Sequence, residues 1–529
     1  MTLATVAAAS GEDVCPFDIS STGKPVFRAF AQARARFGGQ RVCIVDVDDS
    51  QRNYDDILRG ALALGHALKS GTRKGECVGV MLPTGAGAIA TFLALSAYGR
   101  VPAMLNFTSG AAAIKSALKT AQVKKIATAR RLVEMAGLQS LVDEISQNAE
   151  IVYLEDLRKD LSILDKAAAL IGSFLPGLVT SRPAADSPAV ILFTSGTEGE
   201  PKGVALSHRN LLANVEQVRV HLALYSSDIL LNPLPAFHCF GLTVGSLMPV
   251  MLGLKVVCHP TPLQPKEIVS RIRKHKATIL VSTDTFITQY ARVGEPGDLS
   301  SLRLTVCGAE RLRDETRALL RKKHGIELLE GYGVTETSPV IAANRPGANR
   351  PGTVGQMMAD MQYRLDPVEG IPNAGRLVVK GPNVMLGYLR PEAPGRIDPP
   401  AGGWHDTGDV VSVDEDGYIA IKGRLKRFAK IGGESVSLAV VESCASALWP
   451  DDSHAAITLP DGRKGEQIVL VTTNKDANRH DIVGWAHNHG VSELAIPRRI
   501  VLVEDIPVLG TGKTDYVSVQ KMVEKEAAP

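Results

Sequence analysis

Cysteines and aromatics are scarce in these 529 residues, neither sign of charge is in surplus, and no long apolar run is unbroken. The seven cysteines, Cys15, Cys43, Cys77, Cys239, Cys258, Cys307 and Cys444, are odd in number, scattered and without a C-x-x-C pair. Neither a disulfide framework nor a zinc site is indicated, and a reducing, cytoplasmic setting fits. Lys and Arg number 59 against 56 Asp and Glu, a net charge of +3, far from the concentrated basic face that nucleic-acid binding needs. The uncharged runs Cys77–Gly99 and Ile229–Leu254 are interrupted, the first by Pro83, Gly85 and Gly87, the second by Pro233, Pro235 and Pro249. Neither offers ~20 uninterrupted apolar helical residues, so buried α/β segments are expected instead of membrane spans. No basic stretch precedes the few apolar residues of Met1–Ser10, so no secretory signal is expected.

What is present is the texture of a large enzyme. Hydrophobic residues make up 45% and charged residues 22%, close to a globular average, and 49 Gly with 30 Pro announce many turns. Short apolar runs alternate with helical patterns from Val42 onward. Cys77–Leu82 reads as a buried strand and Ala88–Ala97 as the helix after it, with further strands at Ala189–Phe193, Ile229–Asn232, Val256–His259, Thr278–Val281, Leu302–Cys307 and Glu327–Leu329. The alternation predicts an α/β fold with a mostly parallel, layered core. After Asn344 the pattern turns to Gly/Pro-punctuated strands such as Arg376–Lys380 and Tyr418–Ile421. A large multi-layer domain with a β-rich subdomain over 1–423 and a small α+β domain over 424–529 follow, divided at the basic segment Lys422–Lys430.

Several local patterns fail as sites. Gly85-Ala-Gly87 opens a helix after a strand, but no Asp or Glu occurs between Gly85 and Lys125 to hold a ribose as a dinucleotide fold requires. Gly510-Thr-Gly512-Lys513-Thr514 resembles the end of a phosphate loop, yet Pro507 stands where its first glycine belongs and only 15 residues follow Thr514. Cys239 beside His238 invites a nucleophile reading, but adjacent residues of an extended chain point opposite ways, so a buried thiol is expected. No His has an Asp five positions later, which excludes the acid–base pair of that spacing.

The segment Thr194-Ser-Gly-Thr-Glu-Gly-Glu-Pro-Lys-Gly203 is different. It follows a strand and packs hydroxyls, glycines and a lysine into ten residues. Glycines let backbone N–H groups approach phosphate oxygens, Thr194, Ser195 and Thr197 add hydroxyl donors, and Lys202 adds charge, a combination suited to a triphosphate. This loop resembles the phosphate-binding signature of the adenylate-forming superfamily of acyl-CoA synthetases, luciferases and peptide-synthetase adenylation domains. Phe237-His238, Gly331-Tyr-Gly-Val-Thr-Glu-Thr337, Trp404-His-Asp-Thr-Gly-Asp409, Gly423-Arg424-Leu-Lys426 and Pro507–Lys513 recur in the same order, over about Phe27–Tyr516.

The resemblance implies ATP and Mg2+, with a carboxylate made reactive as a mixed anhydride with AMP. It implies nucleotide contacts from Thr194, Ser195, Gly196, Thr197, Gly199, Lys202, Gly308, Ala309, Glu310, Gly331, Tyr332, Gly333 and Thr335. Glu336 is the implied Mg2+ ligand, Tyr332 the ring on adenine, and Asp409 and Arg424 the ribose contacts. Lys513 is the implied catalytic lysine of a mobile C-terminal domain, acting with Glu336, Thr335 and Lys202. Lys426 is the implied hinge, and Gly432 and Gly433 line the implied thiol channel. Phe237, His238, Phe286 and Gly308 are expected to border the acyl pocket, with ordinary core packing the alternative for His238 and Phe286.

Within the superfamily the chain is most similar to the acyl-acyl-carrier-protein synthetase half of bacterial 2-acylglycerophosphoethanolamine acyltransferases, through Gly99–Phe107, Thr283–Phe286, Asn383–Tyr388, Lys426–Lys430 and Leu509–Lys513. That likeness implies a long-chain fatty acid and the phosphopantetheine thiol of holo-acyl carrier protein, with CoA as the alternative acceptor and a polyketide or peptide-synthetase carrier as another. Arg424, Lys426, Arg427, Lys430, Arg498 and Arg499 are candidates to meet an acidic carrier protein. Finally, Leu157, Leu161, Leu164, Ala168, Ile171 and Leu175 recur every three to four residues and predict one amphipathic helix. It would pack on the large domain or rest peripherally on the inner face of a membrane.

Overall fold

The computed structural model describes residues 17–194, 201–371, 373–431, 434–461, 465–489, 491–508 and 514–527. These divide into two compact units. The larger holds residues up to Pro351 with Gly355–Met361 and Lys380–Gly403, and the smaller holds Gly352–Val354, Gln362–Val379 and the chain from Trp404. The division expected at 423/424 falls at the end of a strand inside the smaller unit, because the β-rich segment pairs on into the C-terminal part: Ser437 Oγ donates to Lys422 O at 2.9 Å.

Two mixed sheets build the larger unit. One has eight strands, in the order Ala393–Asp398, Gly387–Arg390, Lys202–Ser207, Pro188–Thr194, Val101–Met104, Cys77–Met81, Lys125–Thr128 and Glu150–Tyr153, antiparallel at the first three pairings and parallel thereafter. The other has nine, with Leu328–Gly333, Leu304–Cys307, Ile279–Ser282, Ile229–Asn232, Lys255–Cys258 and Val42–Val45 parallel in its centre. The parallel strands are apolar on both faces, as sheets covered on both sides must be. One core cluster joins Val78, Val190 and Leu192 of the first sheet to Val256, Val281 and Val306 of the second through Leu58, Phe92, Leu211 and Val215, so the helices that carry these residues pack between the sheets. Two further clusters cover the outer faces. This is the layered α/β arrangement expected from the alternation, and each strand read from the sequence is present, Ile229–Asn232 with the same ends and the others with ends moved by at most four residues.

The middle-layer helix Ala86–Ala97 is buried nearly all round, and its N-terminus accounts for the Gly85-Ala-Gly87 pattern. Ala86 N donates to Asp46 Oδ2 at 3.3 Å, and a Cβ on Gly85 would lie 2.8 Å from that carboxylate. The chain's own acid sits at the positive end of the helix, where an anion would otherwise bind. Among the described residues no helix is long and apolar enough to cross a membrane.

Another middle-layer helix, His208–Leu222, is buried although its sequence is strongly polar. Asn210, Asn214, Gln217 and His221 fall at i, i+4, i+7 and i+11, one stripe of a helix. Each meets main chain. Asn210 donates to Pro382 O at 2.8 Å, Asn214 donates to Val340 O at 2.9 Å and accepts from Val340 N at 3.0 Å, Gln217 donates to Ala359 O at 2.6 Å, and His221 Nε2 reaches Ala343 O at 2.7 Å. Burial pushes the His221 and His208 imidazoles down to about 4, so both are neutral at pH 7. That agrees with Val26 N donating to His208 Nδ1 at 3.2 Å.

The smaller unit contains an antiparallel sheet of Gln362–Pro367, Gly375–Lys380, His405–Val413 and Ile419–Arg424, and a five-stranded sheet with helices Leu438–Leu448, Arg479–Asn488 and Tyr516–Ala527.

The single amphipathic helix over Leu157–Leu175 is corrected. The chain forms Leu154–Lys159 and Ile163–Phe174, broken at Ser162, whose hydroxyl caps the second helix by accepting from Asp165 N. The buried side is Asp165, Ala168, Ala169 and Gly172, so Leu164, Ile171 and Leu175 are exposed. Small residues win the inward face because the approach is close: a Cβ on Gly172 would lie 2.6 Å from Leu62 Cδ1.

Asn214→Ala takes away the side-chain acceptor of Val340 N–H and one of the two amide donors to Val340 O, which keeps Asn383 at 3.1 Å, and is expected to lower unfolding stability by about 2 kcal/mol in chemical denaturation. A loss below ~0.5 kcal/mol, the range of a surface substitution, would contradict the account.

Candidate active site

Thr194 and Lys202 are register partners at the open ends of two antiparallel strands, so both strands lead into the intervening glycine-rich loop. Ser195, Gly196, Thr197 and Gly199 of that loop lie outside the described residues. The strand Gly387–Arg390 pairs with Lys202–Ser207 on its other edge, with Tyr388 opposite Val204. Alternate residues share a sheet face, so Tyr388 and Lys202 come together, with Lys202 Nζ 5.8 Å from the Tyr388 ring centre. The Tyr388 hydroxyl donates to Glu336 Oε1 at 2.6 Å, and Met385 N donates to Glu336 O at 2.8 Å. Glu336 is held at its carboxylate and at its backbone by one segment.

Tyr332 and Glu336 flank the carboxyl end of the parallel strand Leu328–Gly333, and Gly308–Glu310 leave the end of its neighbour Leu304–Cys307. Ligands of open α/β sheets bind outside such strand ends. A Cβ on Gly333 would stand 2.0 Å from Pro339 O, so only glycine fits that turn. Tyr332 is buried and Thr335 opens a 3-10 turn, Thr335–Thr337. Ala309 has φ +68°, a left-handed conformation rare for a residue with a side chain and characteristic of functional turns. Glu310 Oε2 accepts from Thr285 N at 3.0 Å and Thr285 Oγ1 at 2.9 Å, so this carboxylate caps the helix Asp284–Val293.

Phe237, His238 and Cys239 lie on the turn after the strand Ile229–Asn232. Asn232 organises that turn, accepting from Leu234 N at 3.1 Å and donating to Ser246 Oγ at 3.1 Å. A π-helical segment, Phe240–Leu247, follows, a rare form often found at functional sites. The Phe237 ring meets Phe107 edge-on at 5.1 Å and lies 4.8 Å from the His238 ring. A Cβ on Gly308 would touch Phe240 at 3.1 Å, so Gly308 lies against the start of the same segment. Cys239 Sγ lies 3.8 Å from Thr335 O, which joins this turn to the Thr335–Glu336 turn. Phe286 is not brought to Phe237: it lies in the outer cluster with Leu280, Ile287 and Tyr290, a core aromatic on the far face of its sheet.

In the smaller unit Asp409 and Arg424 are opposite one another on paired strands, with Arg424 Nε 3.1 Å from Asp409 Oδ1. Asp409 is buried, and its N–H donates to Thr407 Oγ1 at 3.1 Å. Lys426 is exposed in the turn Leu425–Arg427. Arg427 is engaged internally, pairing with Glu442 at 2.8 Å and lying 3.6 Å above the Tyr516 ring, so it leaves the basic surface suggested by the sequence. Gly432, Gly433 and Lys513 lie outside the described residues, and Val508 and Thr514 form a β-bridge across the segment that carries Lys513.

Among the described residues no group of three or more His, Cys, Asp and Glu is placed to hold a metal. Mg2+ arriving on nucleotide phosphates needs only one or two protein carboxylates, and Glu336 fits that lesser demand. Two contributors went unnoticed in the sequence, Tyr388 and the polar stripe of His208–Leu222. The stripe had a signal, four amide or imidazole residues on one face of a helix bounded by buried strands. Tyr388 had none beyond its motif, since its contact with Glu336 spans 52 residues.

Burial pushes the Cys239 thiol up to about 12, which leaves it protonated and inert. In native protein at pH 8, peptide mapping after iodoacetamide treatment should find Cys239 unmodified under conditions that fully alkylate the unfolded chain. Rapid labelling would restore the nucleophile reading.

The AMP-binding enzyme family model matches residues 30–389. The chain is 27% identical over 509 residues to the medium-chain fatty-acid–CoA ligase of Escherichia coli K12, covering 93% of this chain and 89% of that one. It is 29% identical over 427 residues to the long-chain-fatty-acid–CoA ligase of Salmonella typhimurium, covering 77% and 76%. In fold it matches the anthranilate CoA ligase AuaEII in complex with anthranoyl-AMP with a TM-score of 0.81 at 22% identity, over 97% of this chain and 100% of the other. With the family model spanning well over half the sequence and the fold in agreement, the chain belongs to the AMP-binding enzyme family of the adenylate-forming superfamily.

Proposed function

We propose that this chain activates a fatty acid with ATP through an acyl-AMP and passes the acyl group to a phosphopantetheine thiol. The reading rests above all on the Glu336 carboxylate, hydrogen-bonded by Tyr388 near Lys202 beside the carboxyl end of a parallel strand, in a chain of this family. The names of the fatty-acid–CoA ligases it resembles support the acyl substrate.

In this reading Thr194, Lys202 and Thr335 bind phosphate oxygens, and Tyr332 packs against the base. Glu336 would be the protein's ligand to Mg2+, which when bound offsets phosphate charge. Asp409 accepts from the ribose hydroxyls and Arg424 donates to them. Lys513 draws the acid's carboxylate to the α-phosphate, and Lys426, two residues after Arg424, serves as the hinge. Phe237 and His238 border the acyl chain. Tyr388 is a positioning residue: its hydroxyl orients Glu336 and its ring faces Lys202.

The acceptor has two readings. The resemblance of several segments to acyl-acyl-carrier-protein synthetases suggests a carrier protein, whereas the curated relatives are named for CoA, and Arg427 is withdrawn from the basic surface a carrier would meet.

Tyr388→Phe keeps the ring and removes the hydrogen bond to a charged group, worth about 1.5–3 kcal/mol, so acid-dependent pyrophosphate release should fall by about 10- to 100-fold in kcat/KM. The melting temperature should stay unchanged, and excess Mg2+ should recover part of the loss. A rate within twofold of wild type would show that Glu336 is not held by this contact.

Given Mg·ATP, palmitate and equal amounts of holo-acyl carrier protein and CoA, the protein should form a thioester detectable by mass spectrometry. Predominant acyl carrier protein product assigns the carrier as acceptor, and predominant palmitoyl-CoA assigns CoA. No thioester on either, with pyrophosphate released, would contradict the thiol-transfer half of the reading.

A further inference from the structure

The helix Ile163–Phe174 is seated with its bulky side outward. Its inner side is Asp165, Ala168, Ala169 and Gly172, while Ile163, Leu164, Leu170, Ile171 and Phe174 are exposed, Ile163 at 84% and Phe174 at 78%. The short helix Pro176–Val179 continues the surface with Leu178 at 73%. On a helical projection Ile163, Leu170 and Phe174 lie nearly opposite Gly172, so no slight rotation would bury them. Large apolar side chains exposed singly are ordinary, but six of them clustered on two consecutive helices mark an interaction surface.

The charges around it have one sign to spare. Arg158, Lys159, Lys166 and Arg182 are exposed on the same segment, and Arg182 lies against the patch, where a Cβ on Gly177 would be 2.8 Å from its guanidinium. Three of the segment's four acids are engaged elsewhere: Asp165 with His66 Nδ1 at 2.6 Å, Asp156 with Arg130, and Glu155 with the amides of Arg130 and Arg131. Asp160 is the fourth. An apolar face bordered by Lys and Arg suits the interface of an anionic bilayer, where side chains enter the acyl boundary and cations meet headgroups. A second copy would suit it poorly, because a two-fold contact would set the same basic rim against itself. The face also lacks the Tyr and Trp that anchor protein interfaces.

We propose that the face formed by Ile163–Phe174 and Leu178 docks this protein on an anionic lipid surface. This goes beyond the acid-activation reading and does not depend on it. The test is flotation of the full chain, without substrate, with vesicles of phosphatidylcholine alone or mixed equally with phosphatidylglycerol. The protein should float with the mixed vesicles and at least 10-fold less with phosphatidylcholine alone, and high salt should weaken it. The triple substitution Ile163→Ser, Phe174→Ser and Leu178→Ser should lower partition at least 10-fold with the melting temperature unchanged, since these side chains are exposed. Lys166→Glu with Arg182→Glu should remove the preference for phosphatidylglycerol. Wild-type protein that stays with the soluble fraction at low salt, or a triple variant that floats equally well, would overturn the proposal. A non-floating wild-type dimer that the triple substitution turns into a monomer would assign the face to a second copy and overturn it as well.

Discussion

The larger unit depends on one device, a buried helix that gives its side-chain hydrogen bonds to other segments' main chain. From a single stripe, Asn210, Asn214, Gln217 and His221 reach Pro382, Val340, Ala359 and Ala343. Those carbonyls belong to three stretches that follow the last parallel strand and that no regular ladder with this helix could satisfy. Buried main-chain groups must find partners, so the stripe lets the strand Val340–Ala343 and the segments at Ala359 and Pro382 lie against a helix deep in the fold. Asn383 continues the lattice, donating to Thr337 O at 2.8 Å while Ser338 Oγ donates to Asn383 O at 2.9 Å.

The Thr335–Glu336 turn therefore stands on fixed supports. Val340, bound to Asn214, closes the far side of the turn, and Asn383 leads into the strand that carries Tyr388. The clamp on Glu336 is thus the outer end of a chain of hydrogen bonds that begins on the helix His208–Leu222. A functional group held this way keeps its geometry because its supports are themselves locked. Neutral His208 and His221 belong to the same logic, since burial favours their uncharged forms and each neutral ring can serve as donor or acceptor where the main chain asks for it.

Much of this was legible in the sequence. The apolar strands Ile229–Asn232 and Leu304–Cys307 carry their own signal, because a strand buried on both faces is a short apolar run bounded by turns. Glu336 and Lys202 could be singled out as candidates because their motifs are local. Tyr388's contact with Glu336 could not be, because it exists only where register brings strand Gly387–Arg390 beside Lys202–Ser207. Phe286 misled for a related reason: aromatic character marks burial, and which of two cores receives the ring is settled by the sheet face it stands on. The helix Ile163–Phe174 misled most. Periodicity finds an apolar face, but here close approach to Leu62 selected the small residues for the inside and left the large ones out.

The central claim is that a carboxylate oxygen of the acid attacks the α-phosphorus of ATP. An acid labelled with 18O in its carboxylate tests it most directly, with mass spectrometry of the AMP released once thioester has formed. The account predicts one 18O in each AMP, because the thiol displaces AMP together with the oxygen that joined acyl group to phosphorus. Unlabelled AMP alongside thioester would contradict it.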